Sequence, residues 1–172
     1  MEIRPAAVSD ATQMGEVHVR SWQSAYRGLM PQAHLDGLDP GRSAQMWQRR
    51  ASSVDWSRGG CLVVVEDAVV VGFADFGSTR DDDGDRNQVA EVAAIYLSPA
   101  AWGKGCGREL MAAALGQLTR LGYRQVTLWV LDTNARARRF YEAAGFQADG
   151  AEKLDGREGL ELRELRYRRS LP

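Results

Sequence analysis

The sequence predicts an α/β fold, with a mixed, largely antiparallel central sheet flanked by helices. Three observations predict it. β-Branched runs crowd together in the first half of the chain, and helical periodicities alternate with short apolar strands in the second. No linker, repeat or low-complexity tract interrupts either half. The 172 residues, 44% of them hydrophobic, suffice for one core and fall short of two. A single domain over residues 1–172 is the expectation.

The elements follow in order. "IRPA" reads as a short first strand. Ser9 is expected to cap a helix through about Arg27, because Ala11, Met14, Val17, His18, Trp22, Ala25 and Tyr26 recur at three- and four-residue steps. A second helix is expected over Arg42 to Ala51, behind Pro40-Gly41. "GCLVVVEDAVVVGFADFG" holds two β-branched runs split by Glu66-Asp67-Ala68, which predicts a hairpin. Arg80 to Arg86, without an apolar residue, reads as a solvated loop.

"NQVAEVAAIYLS" is the next strand, ended by Pro99. Leu110, Met111, Ala114, Leu115, Leu118 and Leu121 mark an amphipathic helix from Arg108 to Arg120, closed by Gly122. "RQVTLWVL" is a strand apolar enough to be covered on both faces. Asn134 caps a helix bearing Ala137, Phe140, Tyr141 and Ala144, which stops at Gly145. Two last strands are expected over Phe146 to Lys153 and Leu162 to Arg168, with Asp155-Gly156 as the turn.

Composition narrows the function. A net charge of −1 gives no global drive toward nucleic acid or acidic lipid. No apolar run approaches the roughly 20 residues that cross a bilayer, and "MEIRPAAVSD" lacks the plan of a signal peptide. Cys61 and Cys106 are isolated, and His18 and His34 have no ligand-spaced partners, so no metal site is expected. Reduced thiols fit a cytoplasmic protein without nucleic-acid or membrane partners.

The stretch "PAAWGKGCGREL" raises the functional question. Gly103, Gly105 and Gly107 alternate at the mouth of a helix, where unpaired N–H groups and the helix dipole make an anion cradle. A Walker loop requires a hydroxyl after its lysine, but Gly105 follows Lys104. The dinucleotide fingerprint fails as well, because its last glycine falls on Arg108.

"EVAAIYLSPAAWGKGCGRELM", followed by "LWVLDTNARARRFYEAAGF", resembles the GNAT superfamily of acyl-CoA N-acetyltransferases. The resemblance is tightest over Glu91 to Phe146. In that superfamily the loop reads Gln/Arg-x-x-Gly-x-Gly/Ala and holds the pyrophosphate of coenzyme A. Here Trp102 stands where Gln or Arg is usual, followed by Gly103, Lys104, Gly105, Cys106, Gly107 and Arg108. The resemblance implies pantetheine along the strand edge at Ile95, Tyr96 and Leu97, with Asn134 bonding the same arm. It implies acetyl-CoA as co-substrate, without a metal, and direct transfer to a primary amine through a tetrahedral intermediate.

Glu91, eleven positions before Trp102, matches the general base of several members, and Tyr141 matches the tyrosine that protonates the leaving sulfur. Solvent-facing strand and core-packing roles are the competing readings of these two. Cys106 stands where a helix amino terminus lowers a thiol pKa, but without a dedicated base nucleophilic catalysis is disfavoured. Arg136, Arg138 and Arg139 are expected on an exposed helix face, one of them reaching the adenosine 3′-phosphate. The resemblance places the acceptor site at Trp22 to Met30 and around Asp155-Gly156. Trp22 and Tyr26, at i and i+4, make an aromatic wall. The acceptor is a small-molecule or peptide amine, with amino acid, polyamine, antibiotic and protein lysine unseparated. A homodimer is compatible. Two rivals remain at this point: a non-catalytic acyl-CoA sensor, and a nucleotide-binding module.

Overall fold

The computed structural model describes residues 1–157 and 160–172, with side chains outside 155–161. Seven strands form one sheet in the order β1-β2-β3-β4-β5-β7-β6. They span Glu2–Pro5 (β1), Gly60–Glu66 (β2), Val69–Ser78 (β3), Val89–Leu97 (β4), Gln125–Leu131 (β5), Gln147–Arg157 (β6) and Leu160–Ser170 (β7). The helices are Ala11–Ala25 (α1), Gln32–Asp36 (α2), Pro40–Ser52 (α3), Cys106–Arg120 (α4) and Ala135–Ala143 (α5). Every neighbouring pair of strands is antiparallel except β4 with β5.

The period-two alternation of the strands divides the core. Leu62, Val64, Ala74, Phe76, Ala90, Val92, Val126 and Leu128 face α4, whose Leu110, Met111, Ala114 and Leu118 cover them. Cys61, Val63, Val70 and Phe73 face the other way, onto Met14 and Val17 of α1 and Trp47 of α3. Burying both faces removes the sheet's apolar surface from water, the main driving term for folding.

The functional consequence lies in the middle of the sheet. β4 pairs with β5 only at Val89↔Gln125, Ala90↔Val126 and Glu91↔Thr127. Beyond Glu91, β4 stays on β3 up to Leu97, while β5 stays on β7 up to Leu131. A bulge contributes to the parting: Asp75↔Ala94 and Phe76↔Val92 leave Ala93 as an extra residue, and such an insertion bends its strand. The two central strands splay, and one edge of β4 is left without a ladder partner.

Several local expectations change. Ser9 does not cap α1; it lies in a single 3-10 turn, Val8–Asp10. Asp10 organises that corner instead, accepting from the Ala7 N–H at 2.7 Å and from both terminal nitrogens of Arg4 at 2.7 and 2.9 Å. α1 ends at Ala25, short of Arg27, and α2 is too brief to leave a periodic signal.

Asp155-Gly156 is no turn: both residues pair within the β6–β7 ladder, opposite Leu162 and Glu161. The acidic loop is pinned rather than free in solvent. The buried Arg166 of β7 grips Asp83 through Nη1 and Nη2 at 2.6 and 2.8 Å and Asp81 at 3.2 Å, and its Nε donates to Asp149 at 2.8 Å. Asp81 also accepts from Trp129 Nε1 at 3.0 Å. No helix of the described residues is long and apolar enough to cross a membrane.

Candidate active site

A cavity of about 970 Å³ follows the splay, from the start of α4 to the space beneath α1 and α3. Of the residues singled out in the sequence, Trp22, Tyr26, Glu91, Ile95, Tyr96, Leu97, Trp102, Gly103, Gly105, Gly107, Arg108, Asn134 and Tyr141 line it. Lys104 is exposed beside it, and Cys106 is buried beneath the helix start.

At the α4 end, Gly103 and Gly105 hold φ of +75° and +90°, the left-handed region that side chains resist, and Gly105 is the cap of the helix. A Cβ added at Gly103 meets nothing within 4 Å, so the main chain lies open to a ligand. An open loop running into the first N–H groups of a helix, with the exposed cations of Lys104 and Arg108 beside it, fits a phosphate-bearing group. Gly107 serves differently. A Cβ there meets Phe140 at 3.3 Å and Leu97 at 3.4 Å, so its bareness lets α4 settle against β4 and α5.

Trp102, the departure from the usual loop pattern, is tied into the structure. Its Nε1 donates to the Leu97 carbonyl at 3.0 Å, and the Arg136 guanidinium lies over its ring at 3.8 Å. Arg138 turns away from the expected exposed face, donating to the Tyr167 hydroxyl at 3.0 Å and the Asp132 carbonyl at 3.1 Å. The Cys106 thiol contacts Glu66 Oε1 at 3.5 Å, and burial together with that carboxylate raises its pKa. These outweigh the helix dipole and disfavour the thiolate that a nucleophile requires.

In the middle of the cavity, Asn134 Oδ1 accepts from the Ala137 N–H at 3.1 Å, the helix cap expected of it. Its side chain also faces the Tyr26 hydroxyl, whose pKa it pulls down against the stronger upward push of burial. Burial pushes the Tyr141 phenol far above its ordinary range, with Tyr26 and Tyr96 adding to the shift. Tyr141 is therefore a neutral phenol, a donor rather than a base.

The far end is aromatic and charged. Trp22 meets Tyr26 edge to face at 4.9 Å, and His18 stacks on Tyr96 at 4.6 Å with planes 7° apart. Trp47 Nε1 donates to His18 Nδ1 at 3.2 Å, which places the proton of the neutral ring on Nε2. Burial pushes His18 down to about 4, so it is neutral at physiological pH. Trp22 Nε1 is buried without a partner among the described residues.

Two ion pairs line this chamber. Arg50 Nε donates to Asp75 Oδ1 at 2.7 Å. Arg80 Nε and Nη2 donate to the two oxygens of Glu91 at 2.9 and 2.7 Å, and the Arg80 backbone N–H adds a bond of 3.2 Å. Burial pushes Asp75 up to about 6, against the pull of Arg50.

Sequence reasoning did not single out Arg50, Asp75, Arg80, His18 or Trp47 for the site. Asp75 carried a signal, being the one carboxylate inside "VVVGFADFG". Arg50 and Arg80 carried none, because exposed-looking arginines at a helix end and in a polar loop are ordinary. The expected contribution of Asp155-Gly156 lies outside the described side chains.

The Acetyltransferase (GNAT) family model matches residues 21–146, which take in the end of α1, the splay, the glycine loop and α5. The chain belongs to the GNAT family. This acetyltransferase is 31% identical over 141 residues to an N-acetyltransferase of Archaeoglobus fulgidus, covering 82% of this chain and 89% of that one. It is 35% identical over 85 residues to the L-methionine sulfoximine/L-methionine sulfone acetyltransferase of Salmonella typhimurium, covering 49% and 48% of the two chains.

The solved structure of yncA from Salmonella typhimurium, an acetyltransferase with its cofactor acetyl-CoA, superposes with a TM-score of 0.73. Identity there is 24%, over 100% of this chain and 94% of that one, so that likeness concerns the fold. The GNAT protein described here is an acyl-CoA-dependent N-acetyltransferase. The sensor and nucleotide-module readings give way to it.

Proposed function

We propose that this enzyme transfers an acetyl group from acetyl-CoA to the primary amine of a small acceptor that also carries an anionic group. The observation that carries this reading is the shape of the splay. One end is an open anion cradle, and the other is a chamber walled by aromatic rings and floored by two arginine–carboxylate pairs.

In this reading the main chain of Gly103 to Gly107 holds the pyrophosphate, and Lys104, Arg108 and Arg136 supply positive charge around it. The free edge of β4 over Ile95 to Leu97 hydrogen-bonds the pantetheine arm, and Asn134 adds a side-chain contact from the other wall. A backbone N–H of that edge, at Ile95, receives the charge that develops on the carbonyl oxygen. Tyr141, a neutral phenol open to the cavity, gives a proton to the departing sulfur. A thiol of pKa about 8.5 leaves readily, so this assistance is modest.

The acceptor enters from the aromatic end, between Trp22, Tyr26 and His18. An alkylammonium of pKa near 10.4 must lose a proton before it attacks. Among the described residues three sheet carboxylates line the cavity: Glu91, the base expected from the resemblance, Asp75, and Glu164 of β7, which Lys153 holds at 3.1 Å.

The anionic group of the acceptor is matched to the donors left over in those pairs. Arg80 Nη1 and the terminal nitrogens of Arg50 have no hydrogen-bond partner among the described residues. Guanidinium groups suit planar oxyanions. The Salmonella relative is named for two amino-acid derivatives, which carry an amine and a carboxylate on one carbon.

The test is a competition between L-amino acids and the corresponding amines lacking the carboxylate, read as kcat/KM for acetyl-dependent thiol release. A preference of tenfold or more for the carboxylate-bearing amine is expected, and Arg80→Ala should abolish it. Equal rates for the two, or a preference for the bare amine, contradict the proposed acceptor class.

A further inference from the structure

Asp75 and Glu91 stand on the same face of the sheet, on adjacent strands, at the acceptor end of the cavity. Their hydrogen bonding differs sharply. Glu91 receives three donors, all from Arg80, spread over both of its oxygens. Asp75 receives one, from Arg50 Nε to Oδ1, and its Oδ2 has no hydrogen-bond partner among the described residues. A carboxylate gripped on both oxygens by a forked guanidinium has its charge held and few acceptor sites left, whereas one held at a single oxygen keeps the other oxygen open to a proton.

We infer that Asp75 is the group on which the proton leaving the acceptor ammonium comes to rest, while Glu91 serves as the fixed partner of Arg80. The inference rests on the proposed acetyl transfer. The ammonium N–H bond breaks and its proton passes, directly or through a water, to Asp75 Oδ2, leaving a neutral amine. The amine nitrogen then forms the bond to the acetyl carbon, the carbon–sulfur bond breaks, and a second nitrogen proton is matched by the one the thiolate gains. One proton remains on Asp75 and returns to water through the cavity, since the Asp75 side chain keeps 14% of its surface exposed.

The surroundings of Asp75 suit that task. α3 presents Arg50, β2 presents Cys61 directly across the ladder, the loop after β3 presents Arg80, β4 presents Glu91, and α1 presents His18 to the same chamber. Cys61 is pushed up to about 12 and His18 down to about 4, chiefly by burial, so neither titrates near neutrality. Asp75, pushed up to about 6 by burial, is charged at pH 7 yet more basic than an ordinary aspartate. Proton transfer is most efficient when the catalytic pKa lies near the working pH.

The experiment is the pH dependence of kcat/KM between pH 5 and 9, with an amine that wild type acetylates, for wild type, Asp75→Asn, Glu91→Gln and Arg50→Gln. Thermal unfolding and acetyl-CoA affinity are measured on each protein. Wild type should show an inflection near pH 6 that Asp75→Asn removes, with kcat/KM lowered about 100-fold or more at pH 7. Arg50→Gln should move the inflection upward, because an attractive cation is lost. Glu91→Gln should move it downward, because a repelling anion is lost.

If Asp75→Asn does not fold, the opposite shifts of the other two variants decide the matter. An inflection that survives Asp75→Asn, or that stays put in Arg50→Gln, overturns the inference while the acetyl transfer stands. A wild type that acetylates no amine overturns both.

Discussion

The indole of Trp102 donates to the carbonyl of Leu97 at 3.0 Å, so the first residue of the glycine loop is tied back to the last residue of β4. Two segments that line the cavity, the loop and the strand edge, are thereby joined by one side chain. The same ring carries the Arg136 guanidinium on its face. An aromatic residue at this position is a structural clamp and a platform for positive charge, not merely a missing polar contact.

Trp102→Gln should therefore weaken acetyl-CoA binding about fivefold, the size of one lost hydrogen bond or cation–π contact. Gly105→Glu should abolish binding, since it forces a side chain at φ +90° and sets a negative charge in the cradle. Calorimetry on both variants checks this. Normal affinity in Gly105→Glu places the phosphate site elsewhere.

Tyr141→Phe keeps the ring and removes the hydroxyl. Acetyl-CoA affinity should change by no more than about twofold, while kcat falls roughly 10- to 100-fold, at the low end for acid assistance because the thiol leaves easily. Burial holds the phenol protonated past its ordinary pKa of 10.0, so wild type should show no alkaline loss from this group below pH 10. A rate unchanged in the variant reduces Tyr141 to packing.

His18 supplies a pH-dependent stability term. Its folded pKa is lowered to about 4 from 6.5, so between those values the unfolded chain binds the proton and the folded chain does not. Stability from this group is present above pH 6.5 and is lost as pH falls through that window. Asp75, raised to about 6, acts in the opposite sense over the lower part of the same range, so the comparison must be made with a variant. His18→Gln retains an acceptor for Trp47 and lacks the titration. The urea midpoint of wild type should fall relative to that of the variant between pH 6.5 and 4. A constant difference across the window contradicts the buried, neutral assignment.

Much of this molecule was legible before any coordinates. The hairpin of β2 and β3, the amphipathic α4, and the capped α5 ending at Gly145 follow from periodicity and end signals that depend on local chemistry alone. The glycine loop was legible because left-handed backbone leaves a compositional trace. What escaped depends on distant partners. Asp81 and Asp83 read as solvent-facing charge until Arg166, more than eighty positions away, closes on them. Glu91 read as an isolated carboxylate because Arg80 reaches it only once β3 has turned back into β4. Asp75 was hidden by its apolar neighbours, whose run announces a buried strand and draws attention from the charge within it. The Asp155-Gly156 pair misled because a dipeptide that favours turns was overridden by a longer ladder.

The most direct test of the account is thiol release from acetyl-CoA across a library of primary amines, with the products weighed by mass spectrometry. The account predicts release that depends on the added amine, with one acetyl group gained by that amine and the highest kcat/KM among small amines bearing a carboxylate. Tight acetyl-CoA binding with no thiol release above hydrolysis, whatever amine is supplied, contradicts it.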